Sequence, residues 1–331
     1  MDTTWVWIAF NVFVLGMLAL DLGVFHRTAH AVSMREAVTW SVVWIGLALV
    51  FNAGLYFYWD TIMPASSYTN SEAAIAFLTG YLIEKSLSVD NVFIFVLLFG
   101  SFAVPAAYQH RVLFWGVLGA LIMRGVMIFA GAALIAQFHW VIWIFGGFLI
   151  ITGLRMLKSD DHAVDPANHV VVQWLRRIMP MTDGYVGQKF TVIENGIRKA
   201  TPLLAVLLVV EFTDLIFAVD SIPAIFAVTL DPFIVYTSNV FAILGLRALY
   251  FVLAGAMGKF VYLKPALAFI LAFVGVKMIL PDASLALLGE KIKLPVEISL
   301  GVVLATLAIA VVASWWRERQ KGTVSQIASN Q

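Results

Sequence analysis

The chain alternates between long apolar runs and short polar connections. Nine of the runs reach the length of about 20 residues that a helix needs to cross the hydrocarbon core of a bilayer. They cover residues 5–25, 36–59, 74–100, 111–135, 139–157, 202–228, 236–255, 263–280 and 297–316. The pattern predicts an all-α polytopic membrane protein with about nine transmembrane helices, which form a single membrane domain over residues 1–331.

The composition of the chain agrees with a lipid solvent. Hydrophobic residues make up 62% of the 331 residues and charged residues 12%, whereas soluble domains carry roughly 25% charged residues. There is no cysteine, which excludes disulfides, thiolate metal ligands and cysteine nucleophiles in this chain. The first run has no basic segment before it and no small-residue cleavage site, so we expect a retained helix and not a signal peptide. The net charge of +1 indicates no nucleic-acid partner.

Basic residues are concentrated in alternate connections, and this predicts the orientation in the membrane. If the N-terminus lies outside, the cytoplasmic segments contain 15 of the 21 Lys and Arg residues. The external segments then contain only Lys291 and Lys293, beside several acids. We therefore expect an outside N-terminus and a cytoplasmic C-terminus.

The longest connection, residues 158–200, lies on the predicted cytoplasmic side. Within it, 170–179 has the pattern of a short amphipathic helix that lies against a membrane surface. Residues 189–200 resemble a β-hairpin, because Asn195-Gly196 suits a tight type I′ turn. A plain solvated linker is the simpler interpretation of this segment. The loop is also where we expect a protein partner to bind, if there is one.

Three sequence blocks occur twice, in the same order. Their recurrence predicts two copies of a three-helix unit, repeat one at 74–157 and repeat two at 202–280. Two N-terminal helices (5–59) precede the repeats, and one C-terminal helix (297–316) follows them. The paired blocks are Glu84–Asp90 with Asp214–Asp220, the Leu-Gly before Arg124 with the Leu-Gly before Arg247, and Gly153–Leu157 with Gly275–Ile279.

The odd number of helices in each unit predicts that the second copy enters the membrane from the opposite side. The two three-helix repeats are then inverted. Many secondary transporters are built in this way, and their substrate sites lie near the midplane where the two repeats meet.

Five acidic residues lie deep in the apolar runs, where a charge costs at least about 2.5 kcal/mol and indicates a functional site. All five lie on the first helix of a repeat, so inversion predicts that they meet near one locus. Together with the bases Lys85, Arg124 and Arg247 they leave a net charge of −2. A bound divalent cation would neutralise this charge, and so would protonation of one or two acids. The five acids are Glu84, Asp90, Glu211, Asp214 and Asp220.

The polar neighbours of these acids include Asn91, Ser88 and Ser221. Such an all-oxygen environment suits magnesium, calcium or manganese better than zinc or copper. Arg124 and Arg247 have two alternative roles. They could hold carboxylates apart from the ion or replace it when the site is empty, or they could only satisfy a buried acid. A simpler alternative for the whole cluster is a set of structural ion pairs, and the spacing of the residues leaves these choices open.

Helix geometry separates the two acids of each matched block. Residues six apart are about 120° apart on an ideal helix, so Glu84 and Asp90 either face different partners or lie on two sides of a helix break. Pro223 removes its own backbone donor, which predicts an unwound turn next to Asp220. Repeat one has no proline at that place, and there we expect a kink at residues 86–88.

Three long segments resemble the signature sequences of the TerC family, in particular its Alx-like branch. The resemblance extends over nearly the whole chain and implies a bacterial inner-membrane protein that exports manganese(II). It also implies that the five intramembrane acids form the metal site, with Mn²⁺ as transported substrate and no cofactor permanently bound. The three segments are Gly80–Phe93, Glu211–Ile225 and Asp231–Tyr250.

Three function classes follow from these patterns. The first is a manganese exporter that works by alternating access with a proton or another cation as coupling ion, and a calcium or other divalent-cation/proton antiporter is its close alternative. The second is a membrane scaffold that assists metalation or assembly of exported proteins through the loop 158–200. The third is an intramembrane enzyme, which we do not expect, because the chain has neither a Gly-x-Ser-x-Gly nor a His-Glu-x-x-His motif.

Overall fold

The computed structural model describes residues 3–23, 33–158, 169–254 and 262–329. Side chains are described for these residues except 20–23, 90, 93, 158 and 318–329. The described residues form eleven helices and one two-stranded sheet. The helices are α1 (Thr4–Gly23), α2 (Met34–Ile62), α3 (Asn70–Ser101), α4 (Ala106–Gln137), α5 (Val141–Lys158), α6 (Val170–Ile178), α7 (Pro202–Phe226), α8 (Pro232–Leu244), α9 (Leu246–Ala254), α10 (Leu263–Leu288) and α11 (Val296–Ser329). The strands are β1 (Thr191–Glu194) and β2 (Ile197–Ala200).

Several helices have the length and composition of membrane spans. Among the described residues these are α2, α4, α7, α10 and the Val296–Arg317 part of α11, and the pair α8–α9 is a sixth if it forms one span. That pair is bent by 42° at Gly245. The helices α1 and α5 contain shorter apolar stretches. The 32-residue helix α3 is long enough, but Glu84, Lys85 and Asp90 make its central part more charged. The chain is therefore a predominantly helical protein with several membrane-spanning helices.

The most extensive helix pair is α5 with α10, and glycines permit its close approach. A Cβ atom at Gly146 would lie 2.9 Å from the carbonyl oxygen of Gly275, and one at Gly153 would lie 2.6 Å from that of Ala268. The later residue of α5 meets the earlier residue of α10, so the two helices run antiparallel. Small residues at such crossings let two backbones pack directly against each other in a membrane.

The helix α4 runs parallel to α7. Gly116 approaches Val210 near the start of both helices, and Gly131 approaches the ring of Phe226 near their ends. In the same way α3 runs parallel to α8, since Gly80 lies against Ser238 and Lys85 reaches the carbonyl group of Ala242. The first helix of each predicted repeat therefore packs beside the second helix of the other.

The helices α3 and α4 run antiparallel to each other. Glu84 lies 17 residues before the end of α3 and Arg124 lies 18 residues after the start of α4, yet their side chains are in contact. Since α4 is parallel to α7, the helices α3 and α7 run in opposite directions.

The described part of the long loop is folded, which confirms both local predictions for it. The amphipathic segment forms α6, and the strands β1 and β2 pair antiparallel around Asn195 and Gly196. These two residues have φ values of 55° and 76°, as a type I′ turn requires. The hydroxyl group of Tyr185 donates a hydrogen bond to the carbonyl group of Phe102 at 2.8 Å, so the loop contacts the α3–α4 connection. The interpretation as a plain linker is wrong for residues 169–201, because the turn sequence and these contacts stabilise a fold.

The N-terminus of α6 is capped by a histidine. The Nδ1 atom of His169 accepts a hydrogen bond from the backbone N–H of Val171 at 3.3 Å. Burial lowers the pKa of His169. A histidine whose pKa is lower in the folded than in the unfolded protein stabilises the fold at pH values above its unfolded-state pKa, which is about 6.5. This stabilisation is lost as the pH falls through the folded-state pKa.

We predict that acidification below the histidine range loosens α6, because the imidazolium has no acceptor for the cap. The expected loss of local stability is about 1 kcal/mol. Hydrogen exchange of residues 170–175, corrected for the intrinsic pH dependence, measures it. The variant His169→Asn keeps an acceptor at every pH and is expected to remove the pH dependence. The same acid-induced exchange in both proteins would show that the cap is not the cause.

Candidate cation site around Arg124

A buried arginine occupies the centre of the helix bundle. Arg124 lies in the middle of α4, and only 2% of its surface is exposed. Its Nη2 and Nε atoms donate to the two carboxylate oxygens of Asp214 at 2.9 and 3.2 Å. Its Nη1 atom donates to Oε1 of Glu84. One guanidinium group thus joins acids from α3 and α7, the first helices of both predicted repeats.

Two neutral side chains complete the surroundings of this guanidinium group. The Nη1 atom lies 3.2 Å from Oγ of Ser221 and 3.3 Å from Oδ1 of Asn239. Asn239 lies in α8, so the cluster connects α3, α4, α7 and α8. Sequence reasoning included Ser221 but missed Asn239. The run Thr237-Ser238-Asn239 inside an apolar helix was the signal that would have found it.

The Arg124 cluster keeps unused hydrogen-bonding capacity. Two carboxylates and one guanidinium leave it with a charge of −1 when all three are ionised. Among the described residues, Oε2 of Glu84 and Nδ2 of Asn239 have no hydrogen-bond partner, and both are buried. One helical turn after Glu84, the hydroxyl group of Ser88 is in the same condition. An unsatisfied buried acceptor is costly, so a proton or a cation would be stabilised beside Glu84.

The other described acids lie outside the reach of Arg124. The carboxylate of Glu211 contacts the Cα face of Gly119 on α4, and its buried Oε2 atom has no partner among the described residues. Asp220 accepts a hydrogen bond from the hydroxyl group of Thr152 at 3.3 Å. Thr152, on α5, is a second residue that sequence reasoning missed.

Asp220 lines a cavity of about 330 Å³. Asn91 and Thr152 line the same cavity, and so does Arg155. The side chain of Asp90 lies outside the described part of the structure, one residue before Asn91. Apolar side chains, among them Leu87 and Phe217, line the rest of this cavity. Asp220 therefore faces a cavity of mixed lining, whereas Asp214, six residues earlier on α7, is buried in the Arg124 cluster.

Of the four predicted acids whose side chains the structure describes, it brings two together directly. Glu84 and Asp214 meet at Arg124. Glu211 lies close enough to Asp214 for the two carboxylates to repel each other, but it contacts Gly119 on α4, and Asp220 contacts Thr152 on α5. Across the described residues, no three His, Asp or Glu side chains are close enough to hold a metal ion. The separation of Asp214 from Asp220 agrees with the alternative that acids six residues apart address different partners.

The break in the helices lies at a different place from the one that the proline predicts. The helix α7 continues through Asp220 and Pro223 to Phe226, so the prediction of an unwound turn there is wrong. Pro223 lies in the last turn of α7, and one missing donor at that point does not interrupt the helix. The helix α3 is likewise continuous through residues 86–88.

The actual interruption separates α8 from α9 at Gly245, and a lysine caps it. The Nζ atom of Lys85 donates to the carbonyl group of Ala242 at 3.2 Å, near the C-terminal end of α8. A Cβ atom at position 245 would lie 2.6 Å from this Nζ atom. A cation is favourable at the C-terminus of a helix, where carbonyl groups lack intrahelical partners. Arg247 follows two residues later and is buried in α9.

The fold and this site define an integral membrane protein with a charged cluster inside its helical bundle. The chain belongs to the TerC family, because residues 69–322 match the model described as "Integral membrane protein TerC family". Its relatives place it in the Alx-like branch of that family.

Similar proteins cover almost the whole chain. "Uncharacterized membrane protein STKORF319" of Myxococcus xanthus is 51% identical, over 96% of this chain and 94% of its own length. "Putative membrane-bound redox modulator Alx" of Escherichia coli (strain K12) is 48% identical, over 97% of this chain and 98% of its own. An "Uncharacterized membrane protein" of Rickettsia felis is 39% identical, over 93% and 96%. These names describe membrane proteins and modulators and not enzymes. No solved structure matches the chain.

We predict that Arg124→Gln lowers the free energy of unfolding by about 3–5 kcal/mol, because two buried carboxylates lose their counter-charge. Thermal unfolding of the detergent-solubilised protein measures the change. Arg155→Gln is the control, since Arg155 is exposed. The double variant Arg124→Gln, Asp214→Asn is expected to recover part of the loss. An Arg124→Gln protein as stable as the control would contradict the role of this cluster.

Proposed function

We propose that this chain is a secondary transporter that exports manganese(II) from the bacterial cytoplasm through its intramembrane carboxylates, coupled to protons or another cation. The observation that carries the proposal is the Arg124 cluster. In this cluster an acid of α3 and an acid of α7, the first helices of the two predicted repeats, share one guanidinium group at a charge of −1, and a carboxylate oxygen of Glu84 has no hydrogen-bond partner among the described residues. Ionisable groups in the membrane interior mark ion pathways by default.

The helix contacts support two inverted repeats. If α3, α4 and α5 correspond to α7, α8–α9 and α10, exchanging the repeats converts the α3–α8 contact into the α4–α7 contact. In the matched blocks Gly153 corresponds to Gly275, and seven residues earlier Gly146 corresponds to Ala268. The exchange therefore also converts the Gly153–Ala268 contact into the Gly146–Gly275 contact. The opposite directions of α3 and α7 agree with this inversion. We therefore propose nine crossings, with α8–α9 as one bent span, an outside N-terminus and a cytoplasmic C-terminus in the inner membrane.

The geometry suggests how a cation would pass through the protein. Asp220 and Asn91 line a cavity and offer oxygen ligands to an entering ion. Farther inside, a divalent cation competes with the guanidinium group of Arg124 for Glu84 and Asp214. Release of one carboxylate would weaken the connection between α3, α4 and α7, which gives ion binding a physical link to a rocking motion of the repeats. The net charge of −1 favours entry of positive charge, either an ion or a proton.

The choice of manganese rests on the family resemblance together with the ligand chemistry. The candidate ligands are carboxylate, amide and hydroxyl oxygens, which suit manganese, calcium and magnesium alike. A calcium or other divalent-cation/proton antiporter remains the close alternative. The relatives' printed name, redox modulator, has no thiol counterpart here because the chain contains no cysteine. An effect of this protein on redox balance would then follow from the metal content of the cell.

Flux into proteoliposomes tests the proposal with the double variant Asp90→Asn, Asp220→Asn. Wild-type protein is expected to transport Mn²⁺ faster when a pH gradient is imposed, and the variant is expected to lose this flux because its pathway lacks two charged ligands. Competition by Ca²⁺ and Mg²⁺ in the same assay measures selectivity.

Asp183→Asn is the matched control, since it removes an exposed carboxylate of the loop outside the membrane. Retained flux in the double variant would exclude these two acids as the pathway. Absence of flux in correctly folded wild-type protein would favour the scaffold function, for which deletion of residues 170–200 is the next test.

A further inference from the structure

The short helix α6 exposes an apolar stripe that the described structure leaves uncovered. Val170, Trp174 and Ile178 lie four residues apart, so they share one face of the helix. Their exposed fractions are 73%, 57% and 60%. When large exposed apolar side chains form one contiguous patch, they normally mark a contact with a membrane or with another molecule.

The opposite face of α6 attaches it to the membrane domain. Val172 and Leu175 are buried, and α6 packs against α7. Val172 and Arg176 line one groove together with Pro202 and Ala205. These last two residues belong to the first turn of α7, which is one of the apolar helices long enough to span a membrane. The ring of His169, which precedes α6, lies 6.4 Å from the ring of Phe212 in α7. The helix α6 therefore lies along the first half of α7, between the start of that helix and Phe212.

The positive charge of the segment 169–201 indicates which kind of molecule would cover the apolar stripe of α6. Residues 169–201 contain five basic and two acidic side chains, a net charge of +3. Arg176 and Arg177 lie in the last turn of α6 and are exposed. Anionic lipid head groups attract such basic segments, and tryptophan is enriched at the same depth of the membrane.

We propose that α6 is an interfacial helix that binds anionic phospholipids of the leaflet in which α7 begins. Its stripe of Val170, Trp174 and Ile178 lies among the head groups and upper acyl chains, and Arg177 contacts lipid phosphates beside it. The packing of α6 against α7 favours lipid over a protein partner, because a helix that packs against a membrane span is held close to the bilayer. The inference does not depend on which ion the protein transports.

The absence of cysteine from the chain makes a site-specific test direct. In the full-length variant Ile178→Cys, an environment-sensitive fluorophore is the single label and Trp174 is retained. The protein is reconstituted into vesicles of phosphatidylcholine with or without phosphatidylglycerol. Quenchers carried on the lipid chains are expected to quench the label, and aqueous iodide is expected to leave it unquenched. Asp183→Cys, exposed in the same loop, is the matched control and is expected to show the reverse.

The lipid-charge part of the proposal has its own variant. Phosphatidylglycerol is expected to increase the lipid quenching at position 178, and the increase is expected to be lost in Arg176→Gln, Arg177→Gln and at high salt. A label quenched by iodide and not by lipid would overturn the proposal in favour of a free surface. A label protected from both quenchers would overturn it in favour of a protein contact. Equal lipid quenching with and without phosphatidylglycerol would overturn the selectivity for anionic lipid.

Discussion

The pairing of Arg124 with Glu84 and Asp214 is the interaction on which the arrangement of the bundle depends. None of these three charges is tolerated alone in a low-dielectric interior, so α3, α4 and α7 are held together at one point. The pairing is incomplete, since two carboxylates share one guanidinium group. That residual negative charge makes the cluster a structural connection and a candidate site for a cation at the same time.

Close glycine contacts are the second constraint, and they determine how near the helices come to one another. Gly146 and Gly153 on α5 approach the backbone of α10, and Gly119 admits the carboxylate of Glu211. In lipid there is little hydrophobic force between helices, so packing and polar contacts of this kind are what favour one arrangement. The matching placement of the contacts Gly146–Gly275 and Gly153–Ala268 agrees with the proposed inverted repeats.

Local sequence signals predicted the elements whose conformation is decided locally. The apolar runs lie on helices, and Asn195-Gly196 forms the turn of the hairpin because its left-handed φ angles suit few other residues. Contacts between distant segments were harder to predict: the spacing identified Glu84 and Asp214 as buried acids, but only helix packing assigns both to Arg124. Pro223 gave a wrong break because it lies in the last turn of α7. The break at Gly245 was missed because the group that caps a carbonyl beside it, Lys85, lies 160 residues earlier in the chain.

Anomalous X-ray diffraction at the manganese absorption edge, from crystals grown with Mn²⁺, tests the central claim most directly. The account predicts an anomalous peak in direct contact with at least two of the five carboxylates. It also predicts that one oxygen of Asp214 or Glu84 lies farther from Arg124 than in the structure described above, where Asp214 is 2.9 Å from Nη2. A metal-loaded crystal with the Arg124 contacts intact and no peak at any of these acids would contradict it.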